Sequence, residues 1–260
     1  MIRFRLIVNC GPCEKFIGKC LQSIRKQSFE NWDAWVTVDP CGDRTFECAV
    51  LAADGDPRIH LIQNETHQYS LHNLVDAIER SRAGQEDVIA VLDGDDWFAT
   101  KHALKQIAQA YERFDCWMTY GSWRSNVAGP NGRRDGLWPA YPEGTSDFRH
   151  VRWLGTAVRT WKKWLWDHLD DADLRNEAGG YFRIAEDQAI MLPLLEMSGT
   201  AKARHIATPI MVYNKKVRYS IPDAIAEERE SNGLLLGRRP PYRRLEKKLY
   251  REAVAAAGAH

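Results

Sequence analysis

Three acidic residues fall within four positions of the sequence, at Asp93, Asp95 and Asp96, with Gly94 between the first two. Carboxylates this close repel one another unless a cation neutralises them, and hard divalent cations such as Mn²⁺ or Mg²⁺ prefer oxygen ligands. Such a cation commonly completes its coordination with water and the phosphates of a bound nucleotide. The cluster therefore predicts a divalent-cation site. The alternative is a solvated acidic turn that caps a helix beginning near Thr100.

Residues 88–92, directly before this cluster, form an unbroken apolar run, which predicts a strand buried on both faces. The cluster would then lie at the carboxyl end of that strand. Further strands are predicted at 4–8, 34–38, 59–62 and 116–120, with helices starting near 16, 45, 71 and 104. This alternation predicts an α/β fold with an open, mostly parallel, twisted sheet and flanking helices. Ligands bind such sheets outside the carboxyl ends of the strands. Asp39 and Asp43 follow the second strand, and the acidic cluster follows the fourth.

A second acidic pair, Glu186-Asp187, precedes an apolar stripe of helical spacing that ends at Gly199. The pair would lie in the first helical turn, where the helix dipole stabilises carboxylates. Helix capping explains the pair without any chemistry. A general base, which has to be ionised at neutral pH, is equally well served by the same position.

Composition limits the class of protein. The 260 residues include 36 basic and 35 acidic side chains, so the chain as a whole is not an electrostatic nucleic-acid binder. No apolar stretch approaches the length of about 20 residues that spans a bilayer, and no export signal is seen, which predicts a soluble, cytoplasmic protein with reduced cysteines. Cys10 and Cys13 have a metal-like spacing, but the absence of a matching second pair argues against zinc.

Four segments together resemble family 2 glycosyltransferases with the GT-A fold. They are residues 13–29, similar to the family's first helix; 36–45, similar to its acidic turn; 91–96, similar to its metal-binding DxD signature; and Glu186-Asp187, similar to its catalytic acidic pair. The resemblance covers roughly residues 4–215. It implies a nucleotide-sugar-binding half at 1–120, an acceptor-binding and catalytic half of the same domain at 121–217, and a basic helical tail at 218–260.

The resemblance also implies roles for individual residues. Asp39 would recognise the nucleotide base with Asp43 nearby, Asp93 would contact the ribose or a metal-bound water, Asp95 would hold the cation with help from Asp93, Asp96 would lie near the transferred sugar, and Asp187 beside Glu186 would be the base. The other predicted donor-binding residues are Val8, Asn9, Gly11 and Gly94. Where the family usually has Pro-x-Tyr-Asn, this chain has Asn9-Cys10-Gly11-Pro12, so the aromatic residue that often packs on the base is missing.

The implied reaction moves a sugar, with a UDP-sugar as the favoured donor, to a hydroxyl of a glycan, lipid-linked sugar or protein. The sequence has no Gly-rich phosphate loop, so the cation would neutralise the nucleoside diphosphate as it leaves. One carboxylate is sufficient to accept the hydroxyl proton. This is single-displacement chemistry, which inverts the anomeric carbon.

The remaining segments leave the acceptor open. Aromatic residues concentrate between 121 and 166, and basic residues in the loop 129–134 and between 238 and 251. A hydroxylated DNA base is therefore an alternative acceptor. The simpler interpretation is a core stripe of Trp161, Leu165 and His168 on a helix, and a solvated charged surface. Two other functions remain: a phosphohydrolase with Asp93 as nucleophile, which Trp97 disfavours because such enzymes carry Thr or Val there, and a silent nucleotide-sugar-binding module.

Overall fold

Alternating strands and helices build a single sheet covered on both faces. The structure, a computed structural model, describes residues 1–128, 136–216 and 223–250, with the side chains of 223–226 left out. The strands are β1 Phe4–Cys10, β2 Trp32–Val38, β3 Ile59–Gln63, β4 Val88–Asp93, β5 Trp97–Phe98, β6 Met118–Ser125, β7 Arg159–Lys162 and β8 Ala203–Tyr213. The helices are α1 Ile17–Arg25, α2 Thr45–Ala53, α3 Tyr69–Arg80, α4 Ala103–Phe114, α5 Lys163–Trp166, α6 Glu186–Lys202 and α7 Asp223–Arg238, with a 3-10 turn at Asp171–Leu174.

The strand order in the sheet is β3-β2-β1-β4-β7-β6-β8-β5. The first four strands are parallel, β7 runs antiparallel to both of its neighbours, and β6 pairs with β8 in parallel. The predicted open, mostly parallel α/β sheet is confirmed. Because β2 and β3 lie on one side of β1 and β4 on the other, the strand order reverses between β1 and β4, where ligands bind such sheets.

The central strands contribute to two apolar layers at once. On β1, Phe4, Leu6 and Val8 face the layer beneath α1, α2 and α4, whereas Ile7 faces the layer beneath α3 and α6. Val88, Ala90 and Leu92 on β4 join the first layer, and Ile89 and Val91 join the second. Burial on both faces is the reason why residues 88–92 are continuously apolar instead of alternating.

The aromatic residues of the second half belong to the core, although not as predicted. Trp161 is fully buried on β7, where it pairs with Ile89 and Met118, so the predicted helical stripe through Trp161, Leu165 and His168 is wrong. The helix there is the four-residue α5, which follows the strand. The other aromatic residues singled out in this region are buried or pack against the core: Trp123, Trp138, Tyr141, Trp153, Trp164 and Trp166.

The basic segment after α7 is attached to the body of the protein. A buried ion pair anchors it: Arg149 Nε and Nη2 donate to Glu196 of α6 at 2.5 and 2.8 Å, and both side chains are at most 4% exposed. Arg149 also donates to the Leu236 carbonyl at 2.6 Å, and Glu196 accepts the Tyr242 amide at 2.9 Å. The predicted small-residue helix at 253–257 lies outside the described residues.

Candidate active site

Three strand ends meet at the point where the strand order reverses. Asn9 of β1 lies opposite Asp93 of β4, and the Gly94 amide donates to the Asn9 carbonyl at 2.9 Å. On the other side of β1, the Asp39 amide donates to the Cys10 carbonyl at 3.0 Å. The structure therefore brings the two predicted acidic turns to the same edge of the sheet.

Gly94 is needed where this edge is most crowded. A Cβ atom built on it would lie 2.4 Å from Cys10 Sγ, 3.1 Å from Cys13 Sγ and 3.3 Å from the Asn9 carbonyl oxygen. Cys10, Cys13 and Cys20 are buried beneath the turn, and Cys20 Sγ donates to the Asp93 carbonyl at 3.8 Å. Only a residue without a side chain fits between the acidic turn and these thiols.

We expect Gly94→Ala to lower the free energy of unfolding by about 1–3 kcal/mol, the usual cost of overpacking a filled core, and to weaken donor binding. Gly18→Ala is the matched control. Gly18 lies inside α1 with nothing within 4 Å of its added methyl group, so this change should stabilise the protein by about 0.5–1 kcal/mol. Denaturant unfolding measures both, and a Gly94→Ala variant as stable as wild type would contradict the prediction.

Asp39 is buried, and the loop that precedes α3 surrounds its carboxylate. Oδ1 accepts from Asn64 Nδ2 at 2.8 Å and from the Gln68 amide at 3.1 Å. Oδ2 accepts from the Tyr69 amide at 3.0 Å and lies 3.2 Å from His67 Nδ1. Four donors are about what a carboxylate accommodates, so a base that hydrogen-bonds to Asp39 has to replace one of them. The half-exposed His67 is the one at the surface.

The other residues predicted from the first two strands have more local roles. Asp43 accepts from the Thr45 amide at 3.0 Å and from the Glu14 amide at 3.3 Å, which ties the start of α2 to the loop before α1. A Cβ atom at Gly11 would meet nothing within 4 Å, so the turn after β1 is open. Val8 directly precedes Asn9 on β1, and its side chain is fully buried in the core.

Asp96 points away from solvent and is 1% exposed. Its Oδ1 accepts the Asn214 amide at 2.8 Å, which joins the acidic turn to the end of β8. Burial first, and then the charges of Asp93 and Asp95, raise the pKa of Asp96 to about 9 against the opposing hydrogen bond from Asn214. Burial and the neighbouring carboxylates therefore favour the protonated form of Asp96.

This protonation gives a pH dependence with a definite sign. Because the pKa of Asp96 is higher in the folded protein than its ordinary value of 3.8, the folded state binds the extra proton, and stability is lost as pH rises between 3.8 and about 9. In EDTA we expect the unfolding free energy of wild type to fall faster from pH 6 to pH 9 than that of Asp96→Asn, by up to about 1.4 kcal/mol per pH unit. Parallel curves in chemical denaturation would contradict this expectation.

The predicted base lies at the start of α6. Ala185 takes a left-handed conformation with φ 68° and thereby sets the first turn of the helix. Asp187 Oδ1 accepts the Gln188 amide at 2.9 Å, and Oδ2 lies 3.6 Å from Arg159 Nη1 of β7. The Asp187 side chain is 31% exposed and lines a small cavity with Arg159, Glu186 and Ser70. Asp187 therefore has the access that a base requires.

Glu186 and Asp93 complete this acidic group. Burial first, and then repulsion by Asp187, raise the pKa of Glu186 to about 7, while the charge of Arg159 opposes the shift. Burial also raises the pKa of Asp93, again against Arg159. Asp93 at the sheet edge and the pair that opens α6 therefore belong to one electrostatic cluster.

The edge fits a cation shared with a nucleotide better than a cation held by protein alone. Within residues 1–128, 136–216 and 223–250, no three His, Cys, Asp or Glu side chains converge as a complete metal-binding group. Asp96 is engaged with Asn214, and the carboxylates that the sequence predicts as cation ligands are Asp93 and Asp95. Asn9 Oδ1, on the residue opposite Asp93, is buried and has no hydrogen-bond partner among the described residues, and such an atom normally finds one in water, an ion or a ligand. Two carboxylates plus phosphates are the usual Mg²⁺ or Mn²⁺ arrangement.

The model of the family described as "Glycosyl transferase family 2" matches residues 6–166, well over half of the chain. The chain belongs to this family. The matched region of this family 2 glycosyltransferase includes β1 to β7, the acidic turns and Arg159, but ends before Asp187. EpsE of Bacillus subtilis (strain 168), named as a glycosyltransferase, is 33% identical over 104 residues, which are 40% of this chain and 36% of EpsE.

Solved structures show the same GT-A fold. S. aureus TarS 1–349 in complex with UDP has a TM-score of 0.60 at 18% identity, over 90% of this chain and 65% of that one. Its complex with UDP-GlcNAc has a TM-score of 0.57 at 20% identity, over 86% and 64%. The mannosyltransferase PcManGT of Pyrobaculum calidifontis, in complex with GDP-Man and Mn²⁺, has a TM-score of 0.56 at 16% identity, over 90% and 62%. The chain thus spans less than two thirds of each relative. None of the helices described here has the length and apolar character needed to cross a membrane.

Several residues of this edge were not predicted. Asn64, His67 and Ser70 surround Asp39 and Asn9, since Asn9 Nδ2 donates to Ser70 Oγ at 3.0 Å. Their signal was available, because they follow β3 at the same edge of the sheet where the acidic turns follow β2 and β4. Arg159 is one of three basic residues in a short stretch of sequence, with Lys162 and Lys163. The structure separates it from Lys162, which donates to the Glu86 carbonyl, and from Lys163, which pairs with Asp167.

Proposed function

We propose that this family 2 enzyme transfers a sugar from a UDP-sugar to an acceptor hydroxyl, with a divalent cation at Asp93 and Asp95 and with Asp187 as the base. The observation that carries the proposal is that the acidic turn after β4 and the first turn of α6 belong to one electrostatic cluster and share Arg159. The donor choice is supported by TarS, whose structures contain UDP and UDP-GlcNAc. The metal choice is supported by PcManGT, which contains Mn²⁺.

The transfer requires that the negative charge of the leaving diphosphate is neutralised and that the acceptor hydroxyl loses its proton. Mn²⁺ or Mg²⁺, when bound, neutralises the diphosphate of the donor. The residues of the chain do the rest. Asp93 and Asp95 would hold the cation, and Asn9 Oδ1 would accept a hydrogen bond from the bound donor substrate. Asp187 Oδ2 accepts the proton of the incoming hydroxyl. Since one carboxylate carries this step and no second one is assigned as a nucleophile, the proposal is a single displacement with inversion.

A thermal-shift screen of nucleotide sugars, each with and without Mn²⁺, tests the donor side of this proposal. We expect UDP-sugars with Mn²⁺ to raise the unfolding temperature, because a ligand that binds only the folded state stabilises it. If GDP-mannose raised the unfolding temperature more than UDP-sugars do, the proposed donor would be a GDP-sugar instead. No shift with any nucleotide sugar would remove the proposed function. The anomeric configuration of the product, determined by NMR, then decides between inversion and retention.

The acceptor class is left to experiment, and the DNA alternative has lost one of its three supports, the aromatic residues. The aromatic residues singled out between 121 and 166 pack in or against the core. In the basic tail, Arg239 donates to the Arg175 carbonyl and Lys248 lies 3.7 Å from Glu86, whereas Arg238, Arg243 and Lys247 are exposed. The third support, the loop 129–134, lies outside the described residues. We therefore keep a glycan, lipid-linked or protein hydroxyl as the proposed acceptor.

A further inference from the structure

Arg159 occupies a position that the proposed chemistry has not yet used. It begins β7, the antiparallel strand inserted beside β4, and in the strand register it lies opposite Val91, two residues before Asp93. Its side chain is 15% exposed and lines the same cavity as Glu186 and Asp187. A largely buried guanidinium has to be neutralised by nearby anions, because an isolated buried charge is strongly unfavourable.

The anions around Arg159 come from both halves of the site. Asp187 Oδ2 lies 3.6 Å from Nη1, and the Arg159 charge also favours the ionised forms of Asp93, Asp96 and Glu186. Arg159 and Asp187 both line the cavity, so their ion pair lies at its wall. Arg159 is therefore a cation at the boundary between the donor edge and the first turn of α6.

The contact with Asp187 has a geometry suited to positioning. Oδ1 of Asp187 is fixed by the Gln188 amide at 2.9 Å, so the attraction of Arg159 for Oδ2 sets the remaining rotation of the carboxylate. At 3.6 Å the contact is an ion pair and too long for a hydrogen bond, which leaves Oδ2 free to accept a proton. A direct bidentate bond would have occupied the atom that the reaction needs.

We infer that Arg159 is a positioning residue, which orients Asp187 toward the acceptor and opposes cation binding at the neighbouring carboxylates. The inference rests on the proposed function. It predicts opposite effects on the reaction rate and on the affinity for the cation. Removing the Arg159 charge misplaces Asp187 and slows the reaction, but it also removes a positive charge close to the cation site and so strengthens cation binding.

The test compares Arg159→Met, which removes the charge at similar side-chain length, with Arg159→Lys, which keeps it. Lys163→Met is the matched control, because Lys163 pairs with Asp167 and does not line the cavity. Mn²⁺ affinity is measured by electron paramagnetic resonance of free Mn²⁺ with UDP present. The kcat and KM for hydrolysis of UDP-GlcNAc, in which water replaces the acceptor, are measured in saturating Mn²⁺, and circular dichroism checks folding.

For Arg159→Met we expect roughly three- to tenfold tighter Mn²⁺ binding, a kcat lower by about 10- to 100-fold and a nearly unchanged KM for the donor. Arg159→Lys should restore wild-type Mn²⁺ affinity and part of kcat, and Lys163→Met should match wild type. Weaker Mn²⁺ binding together with a raised donor KM would make Arg159 a donor ligand and overturn the inference, as would unchanged kcat and Mn²⁺ affinity. Wild type that neither binds nor hydrolyses any UDP-sugar would instead reject the proposed function.

Discussion

Asp187→Asn is expected to reduce sugar transfer by about 10²- to 10⁴-fold while leaving Mn²⁺-dependent donor binding intact, because it removes a general base without changing the shape of the site. Asparagine has nearly the same volume, and its carbonyl oxygen can keep the bond from the Gln188 amide. What it loses is the ability to accept the hydroxyl proton. Donor binding by thermal shift and turnover by release of UDP separate the two effects.

Asp167→Asn is the matched control for this experiment, since Asp167 is a half-buried aspartate that pairs with Lys163 and does not line the cavity. It should transfer sugar at the wild-type rate. Normal turnover by Asp187→Asn would show that the base is a different residue, and Glu186 would then be the next candidate. A wild-type protein that binds donor but never turns it over would instead support the silent binding module.

Asp95→Ala is expected to abolish the stabilisation that Mn²⁺ and donor give together. A ligand present at 100 times its dissociation constant stabilises a folded protein by about 2.7 kcal/mol, and this whole contribution should disappear. The reason is that the proposal gives the cation two carboxylates of the turn, Asp93 and Asp95, and the substitution removes one of them. The measurement is the difference in unfolding temperature with donor, with and without Mn²⁺.

Glu112→Ala controls for the loss of an acidic residue, because Glu112 is an exposed residue of α4. It should retain the full Mn²⁺-dependent shift. An Asp95→Ala variant that also retains this shift would exclude Asp95 as a cation ligand, and attention would pass to Asp93. A lower unfolding temperature without any ligand would show a folding defect, which the ligand-induced difference corrects for.

The local patterns predicted the donor side of the fold well, and the reason is physical. Residues 88–92 are apolar throughout because both faces of β4 are buried, and α3 carries its stripe because one side of it packs on the sheet. Such patterns depend on neighbours in the sequence. The order of the acidic turns along the chain then placed Asp39 and Asp93 at one edge, because parallel strands share their carboxyl ends.

The errors and omissions concern partners that are distant in the sequence. Trp161 lies on a strand because β4 and β6 pair with it, although the spacing of Trp161, Leu165 and His168 fits a helix. The donors to Asp39 come from a loop about 30 residues away. The solvated surface predicted for the basic tail holds for Arg238, Arg243 and Lys247, which are exposed, but not for Lys248, whose partner Glu86 is far along the chain.

The ion pair of Arg149 and Glu196 depends on residues 236–242, and this dependence affects the order in which the protein folds. Glu196 lies on α6, the helix that begins with Glu186-Asp187, and the buried pair is completed by the Leu236 carbonyl and the Tyr242 amide. During synthesis β1 to β7 are made first, and α6 and β8 follow before residues 236–242 exist. Until those residues dock, two buried charges lack part of their hydrogen bonding, which weakens the helix that presents Asp187. A nascent chain would therefore form its donor-binding edge earlier than a competent site, so acceptor chemistry should begin only after nearly all of this sequence has been translated.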